Sequence, residues 1–181
     1  MGDHEGAHVW SEAYDGDDAR TDEAPLTEEF NIVLEAGWNL VSVPLILSDD
    51  SRDAVFPPDL SVYTWDAERK SYTSPTHIEA ELAYWVSSPE HRSIPLTGVP
   101  LPSWNAPAFG GWNMVGSVYS EEPVPLERLI DDPPGAVARN SVFFWEPLLR
   151  AYRRADAITS GLGYWLAASE SCDMVLLPPE S

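Results

Sequence analysis

Cysteine occurs once, lysine once and glutamine not at all in this chain of 181 residues. The lone Cys172 excludes an intrachain disulfide and a thiolate zinc cluster. A buried, inert thiol is its expected role. Ten basic residues face 30 acidic ones, giving a net charge of −20. That balance repels phosphate backbones and anionic membranes, so nucleic acid is excluded as a partner. It suits plain solubility and life in high salt equally well. No apolar run approaches the roughly 20 residues of a membrane-spanning helix, and no membrane insertion is expected. The opening MGDHEGAHVW lacks the basic-then-apolar pattern of an export signal. An exported protein would carry that signal elsewhere, and the Met-Gly start suits a trimmed fragment of something larger. Neither a Gly-x-Ser-x-Gly elbow nor a phosphate-binding glycine loop occurs.

Aromatics and proline are abundant instead. Eight Trp, seven Tyr and 17 Pro stand beside 11 Gly, a mixture that favours short strands and Pro-rich connections over long helices. Residues 1–29 hold ten Asp or Glu against the single base Arg20. So polar a stretch buries too little to offset its ordering entropy, and it reads as a flexible acidic tail. Val9, Trp10 and Tyr14 are its apolar exceptions; they suit docking on the folded part or on a partner.

From residue 30 onward the chain is written twice, as β repeats over 30–102 and 103–181. GWNLVSVPL starts at Gly37 and GWNMVGSVY at Gly111. Trp38 corresponds to Trp112, Trp65 to Trp145, Tyr72 to Tyr152, and Tyr84-Trp85 to Tyr164-Trp165. The first pair lies 74 residues apart and the others 80, so the second copy carries six extra residues between its first two tryptophans. Each copy reads as about six short, mostly antiparallel strands joined by short connections. SDDSRDAVFPPDL predicts one helical turn. PVPLERLIDDPP predicts a longer one, with Pro125 early in it and Pro133 stopping it. NAPAFGG predicts a poor strand. The expected fold class is all-β, with one or two short helices and the copies packed as a pseudo-symmetric pair. Two copies are too few to close a propeller ring, despite the Trp-Asp at Trp65.

GWNLVSVP, VYTWD and AYWV, followed by GWNM, VFFWE and GYWL, resemble a tandem GWNL(V/I)S-type β repeat module of secreted and cell-surface multidomain proteins in bacteria and archaea. The resemblance spans roughly residues 30–178. It implies an exported, non-catalytic β module, extracellular or on the cell surface, with no settled ligand. The second copy departs from the pattern by lacking the Ser-Val-Pro ending.

Three kinds of chemistry are weighed against that. His4, Glu5 and His8 spell the His-Glu-x-x-His of zinc peptidases, a motif that needs a helix to bring both imidazoles to one face. Here it contains Gly6 and lies in the acidic tail, without an amphipathic run or a third ligand at matching spacing. A zinc-dependent hydrolase is therefore the third reading, and no metal cofactor is expected. YDGDDARTDE has a calcium-like density of carboxylates, but position twelve from Asp15 is Leu26 where a calcium loop needs Glu. Loose calcium contact is all it suggests. Asp49-Asp50 and Asp131-Asp132 resemble glycosidase pairs but suit turns and caps better.

The tryptophans decide between binding and structure. Trp38, Trp65, Trp85, Trp112, Trp145 and Trp165 recur in both copies. Positions that fill the same core should be kept twice, so these six are expected to be structural core. At about 150–250 Å² each they would bury about 1,000 Å² or more, roughly 25 kcal/mol gross. Trp10 and Trp104 have no partner in the other copy and are the binding candidates. Trp104 in PLPSWNAPAFGG suits a plug over the seam slightly better than an exposed platform. Arg150, Arg153 and Arg154 flank Tyr152, where they can pair with local carboxylates or receive an acidic tail. The expected function is non-enzymatic: structure, adhesion or assembly, with other protein domains or copies of itself as partners. Carbohydrate binding, with polysaccharide as the partner, is the alternative.

Overall fold

The computed structural model describes residues 23–180, and within them the protein is an all-β chain of short antiparallel strands. The first half contributes β1 (Glu28–Leu34), β2 (Gly37–Val41), β3 (Leu45–Ile46), a four-residue helix α1 (Arg52–Val55), β4 (Ser61–Asp66), β5 (Ser71–Thr73), β6 (Tyr84–Ser88) and β7 (Arg92–Pro100). The second contributes β8 (Trp104–Ala108), β9 (Gly111–Val115), β10 (Val124–Pro125), β11 (Leu129–Asp132), β12 (Phe143–Glu146), β13 (Ala151–Arg154), β14 (Ala157–Ile158), β15 (Tyr164–Ala168) and β16 (Cys172–Leu176). The strand β1 begins two residues inside the stretch expected to be tail. The boundary at 102 falls between β7 and β8.

The first and last strands of each half pair with each other. In one half a three-stranded sheet runs β1-β7-β3, and in the other β11-β16-β8. Four-stranded sheets run β2-β6-β4-β5 and β13-β12-β15-β9. Strand alternation puts Ile32, Leu34, Ile94 and Leu96 of the smaller sheet against Val41, Val62, Tyr84 and Val86 of the larger one. Ala106, Ala108, Met174 and Leu176 meet Val115, Val142, Tyr164 and Leu166 in the same way. Both cores tie down a polar tip: the Tyr84 hydroxyl accepts the Glu79 amide at 2.8 Å and the Tyr164 hydroxyl that of Thr159 at 2.7 Å. Cys172 is buried, as expected.

The two Gly-Trp-Asn segments follow sharp bends where the chain passes from one sheet to the other, from β1 to β2 and from β8 to β9. Gly37 and Gly111 both have φ +98°, a left-handed conformation open to glycine at little cost. The Asn39 carboxamide then accepts the Glu35 amide at 2.9 Å and donates to the carbonyls of Glu35, Gly37 and Val86. Asn113 accepts from Phe109 and donates to Phe109 and Gly111. The buried asparagines are satisfied by the turn they close.

Two local expectations are corrected. PVPLERLIDDPP contains β10, one 3₁₀ turn over Leu126–Arg128, and β11 instead of a longer helix. Its period is two: Leu129 and Asp131 are buried while Ile130 and Asp132 are exposed. Asp131 is held there by the Val137 amide at 2.8 Å and Arg139 Nη2 at 3.0 Å. NAPAFGG does supply a strand, since β8 pairs with β16 in register Asp173↔Pro107. A proline is tolerated because β8 is an edge strand.

The halves meet along a polar and apolar seam. Ser117 Oγ bonds Ser42 Oγ at 2.9 Å and accepts the Gly161 amide at 2.8 Å; Ser42 Oγ donates to the Leu162 carbonyl at 2.7 Å and accepts the Ser117 amide at 3.0 Å. Both serines are fully buried. A Cβ on Gly116 would stand 2.7 Å from the Ala80 carbonyl oxygen, so only glycine allows this approach. Leu40, Ala83 and Met114 form a third, small core under Trp65, Trp85, Trp145 and Trp165.

Candidate aromatic binding face

The larger sheet of each half has an apolar side facing away from its main core. In β2, β4 and β6 the residues alternating with the core positions Val41, Val62, Tyr84 and Val86 are Trp38, Tyr63, Trp65 and Trp85. Pairing brings them together: Trp85 lies across from Leu40 and Tyr63, and Trp65 from Tyr72 of β5. In the second half Trp165 lies across from Met114 and Phe143, and Trp145 from Tyr152.

The two aromatic sets interlock across the seam. Trp65 Nε1 donates to the Trp112 carbonyl at 3.0 Å, and Trp145 Nε1 donates to the Trp38 carbonyl, also at 3.0 Å. Trp65 stacks edge-on against Trp165 with centroids 5.8 Å apart, and Trp85 against Trp145 at 5.5 Å. Trp65–Tyr72 and Trp145–Tyr152 contacts at 5.0 Å extend the array. These are preferred aromatic geometries, each worth about 0.5–1.5 kcal/mol beyond area burial.

Two basins result. One, about 480 Å³, is lined by Trp38, Tyr63, Tyr72, Trp85, Trp145 and Tyr152. The other, about 410 Å³, is lined by Trp65, Tyr72, Trp112, Phe143, Tyr152 and Trp165. Tyr72 and Tyr152 wall both. Their sizes lie in the ordinary range of ligand sites. Tyr63 in one basin corresponds to Phe143 in the other, so the second loses a hydroxyl.

This placement corrects part of the core expectation. Trp38 and Trp112 are 44 % and 46 % exposed. Trp65, Trp85, Trp145 and Trp165 are half-buried, under the basins and over the small seam core. Trp104 moves the other way. It is only 6 % exposed, sits in the second main core, and its indole N–H has no partner, so it offers no binding platform. It opens β8 as Phe30 lies in β1, at the same 74-residue offset as Trp38 and Trp112. That correspondence was available in the sequence. Trp10, His4, Glu5 and His8 lie outside the described residues. The exposed Tyr63, Tyr72 and Tyr152 were the site residues that sequence reasoning passed over, although Tyr72 and Tyr152 recur at the same spacing as the tryptophans.

The carboxylate pairs serve local structure. Asp49 accepts both the amide and the hydroxyl of Ser51, and those bonds hold its carboxyl below the usual range. Asp131 is tied to Val137 and Arg139 as described above. Among the described residues no group of three or more His, Cys, Asp or Glu is placed to hold a metal ion, and no helix is long and apolar enough to cross a membrane.

The rim of the aromatic face has its own charge. The tips of the β4–β5 and β12–β13 hairpins turn through Lys70 and Arg150, with φ of 54° and 50°. Lys70 reaches across the seam to the Gly110 carbonyl at 2.5 Å. Arg153 pairs with Glu146 at 3.7 Å. Arg154 lies across from Phe143 in the strand register, at the edge of the second basin. No family model, curated protein or solved structure matches the chain.

Proposed function

We propose that this protein is a non-catalytic adhesion and assembly module whose aromatic face is its docking surface. The observation that carries this reading is the convergence of ten aromatic side chains from both halves into two adjoining, open basins. A soluble chain seldom leaves so large an apolar patch on its surface unless something binds there. Aromatic residues dominate the energetic centres of protein interfaces. The reciprocal Trp65 and Trp145 bonds support a second element of the proposal, that the halves are repeats related by an approximate two-fold axis and share one face. The resemblance to cell-surface GWNL(V/I)S modules favours an extracellular setting.

Carbohydrate binding is the second reading, because indole and phenol rings stack on sugar faces. Against it, the residues lining both basins are all aromatic, and tyrosine hydroxyls and indole N–H groups are the only polar side-chain groups among them, without the lining carboxylates or amides that orient a polar ligand. Retention on a phenyl-derivatised matrix and fluorescence titration with soluble cello- and chito-oligosaccharides separate the two. The docking reading expects phenyl retention that falls in a Trp38→Ser/Trp112→Ser variant, with no saccharide response. A saturable saccharide response that disappears in that variant would replace it with the lectin reading. Retention unaffected by both substitutions would remove the face from consideration.

A further inference from the structure

We propose that the occupant of the aromatic face is the acidic, aromatic segment 1–22 of a second copy of this chain. The inference rests on reading that face as a docking surface. Its first support is charge complementarity. The two hairpins that wall the basins, residues 61–73 and 143–156, hold Arg69, Lys70, Arg150, Arg153 and Arg154, five of the ten basic residues in the chain. Against these stand four acids, Asp66, Glu68, Glu146 and Asp156. All five basic side chains are exposed. In a chain of net charge −20, four of these five, Arg69, Lys70, Arg150 and Arg154, border the docking surface, whereas Arg153 alternates with Tyr152 and lies with Glu146 on the other side of its strand pair.

Segment 1–22 has the complementary composition. Asp3, Glu5, Glu12, Asp15, Asp17, Asp18 and Asp22 face only Arg20, and Val9, Trp10 and Tyr14 lie among them. Two aromatic side chains flanked by carboxylates match two aromatic basins flanked by guanidinium groups. Aromatic anchors supply the affinity and rim charges the orientation and approach rate. Repulsion between two acidic bodies is screened beyond about 8 Å at physiological salt, which leaves the local rim to decide.

Sidedness argues for a second copy. The segment joins the body through β1, whose Ile32 and Leu34 pack in the main core against the inner side of the β2-β6-β4-β5 sheet. The tryptophans occupy the outer side of that sheet. The chain's own segment would have to round a sheet edge to reach them, across packed sheets about 10 Å apart. A neighbouring molecule's segment reaches them without that detour.

Sedimentation velocity of the full chain over a micromolar concentration series in 0.15 M salt tests this. Wild type is expected to associate with rising concentration, and free peptide 1–22 to dissociate it. Trp10→Ala/Tyr14→Ala, which alters nothing in residues 23–180, should weaken association about thirtyfold, the scale of an aromatic hot spot. Arg150→Glu/Arg154→Glu should weaken it too and flatten its salt dependence. A chain monomeric at every concentration, or association unchanged by the Trp10/Tyr14 variant, overturns the inference. So does a monomer whose indoles become more open to acrylamide when Trp10 and Tyr14 are replaced, since that marks docking of the chain's own segment. If phenyl retention still depends on Trp38 and Trp112 while association ignores the segment, the docking face stands and this occupant falls.

Discussion

Replacing Ser117 by alanine isolates the polar tie between the halves. Ser117 is fully buried, its Oγ takes the Gly161 amide at 2.8 Å, and it meets Ser42 Oγ at 2.9 Å. The side chain shrinks by one atom, so cavity cost is small. The Gly161 amide, however, is left buried without an acceptor, a penalty of about 1–3 kcal/mol. Ser42 keeps its own acceptor, the Leu162 carbonyl. A net loss of about 2 kcal/mol follows, or roughly 4–8 °C in thermal midpoint for a chain of this size. Urea denaturation of the single variants and of Ser42→Ala/Ser117→Ala completes a double-mutant cycle. The two hydroxyls share one network, so a coupling energy of about 0.5 kcal/mol or more is expected. A single-variant loss below about 0.5 kcal/mol, or strict additivity, would mean that this seam is not a buried, mutually satisfied network.

Two further outcomes follow from the main cores. For Asp131, burial pushes the carboxyl upward, but the Val137 amide and the Arg139 guanidinium outweigh it and hold it below the ordinary 3.8. A folded-state value below the unfolded one means this group stabilises the fold above pH 3.8 and loses that contribution as pH falls through the folded value. Urea midpoints measured from pH 5 to 2 should therefore fall less steeply in Asp131→Asn than in the parent chain. Trp104→Phe removes a buried N–H that has no partner and installs the residue that Phe30 represents in the first half. Its unfolding free energy should stay within about 1 kcal/mol of the parent, whereas Trp104→Ala should lose about 3–5 kcal/mol; calorimetry distinguishes them.

The turns were legible because they are local. Gly37 with Asn39, and Gly111 with Asn113, dictate a left-handed turn and its hydrogen bonds within five residues, and the sequence shows both. The partner of NIVL was not legible: it runs directly into GWNLV, yet it pairs with the distant strand containing SIPLTG, in a different sheet from GWNLV. The side of the sheet that water covers was not legible. In AYWV, Tyr84 and Val86 point one way and Trp85 the other, and apolar residues on both sides read as a strand buried on both sides. Only the absence of a layer over Trp38 and Trp112 among the described residues separates a binding face from a core, and that is a tertiary fact. LERLIDDPP was misread because its apolar residues also suit a helical face. The buried carboxylate of Asp131, fixed by Val137 and Arg139, selects the two-residue period instead.

Trp38 and Trp112 must be surface residues for the aromatic face to dock a partner. Each leaves nearly half its area in water, so truncation to alanine removes about 100 Å² of buried contact, or roughly 2.5 kcal/mol. Unfolding free energy and phenyl-matrix retention, measured on the same Trp38→Ala and Trp112→Ala preparations, test this most directly. Each variant should remain folded, lose about that figure, and be retained more weakly than the parent chain. A loss of about 4 kcal/mol or more for either variant, with retention intact, would contradict that placement and return these tryptophans to the core.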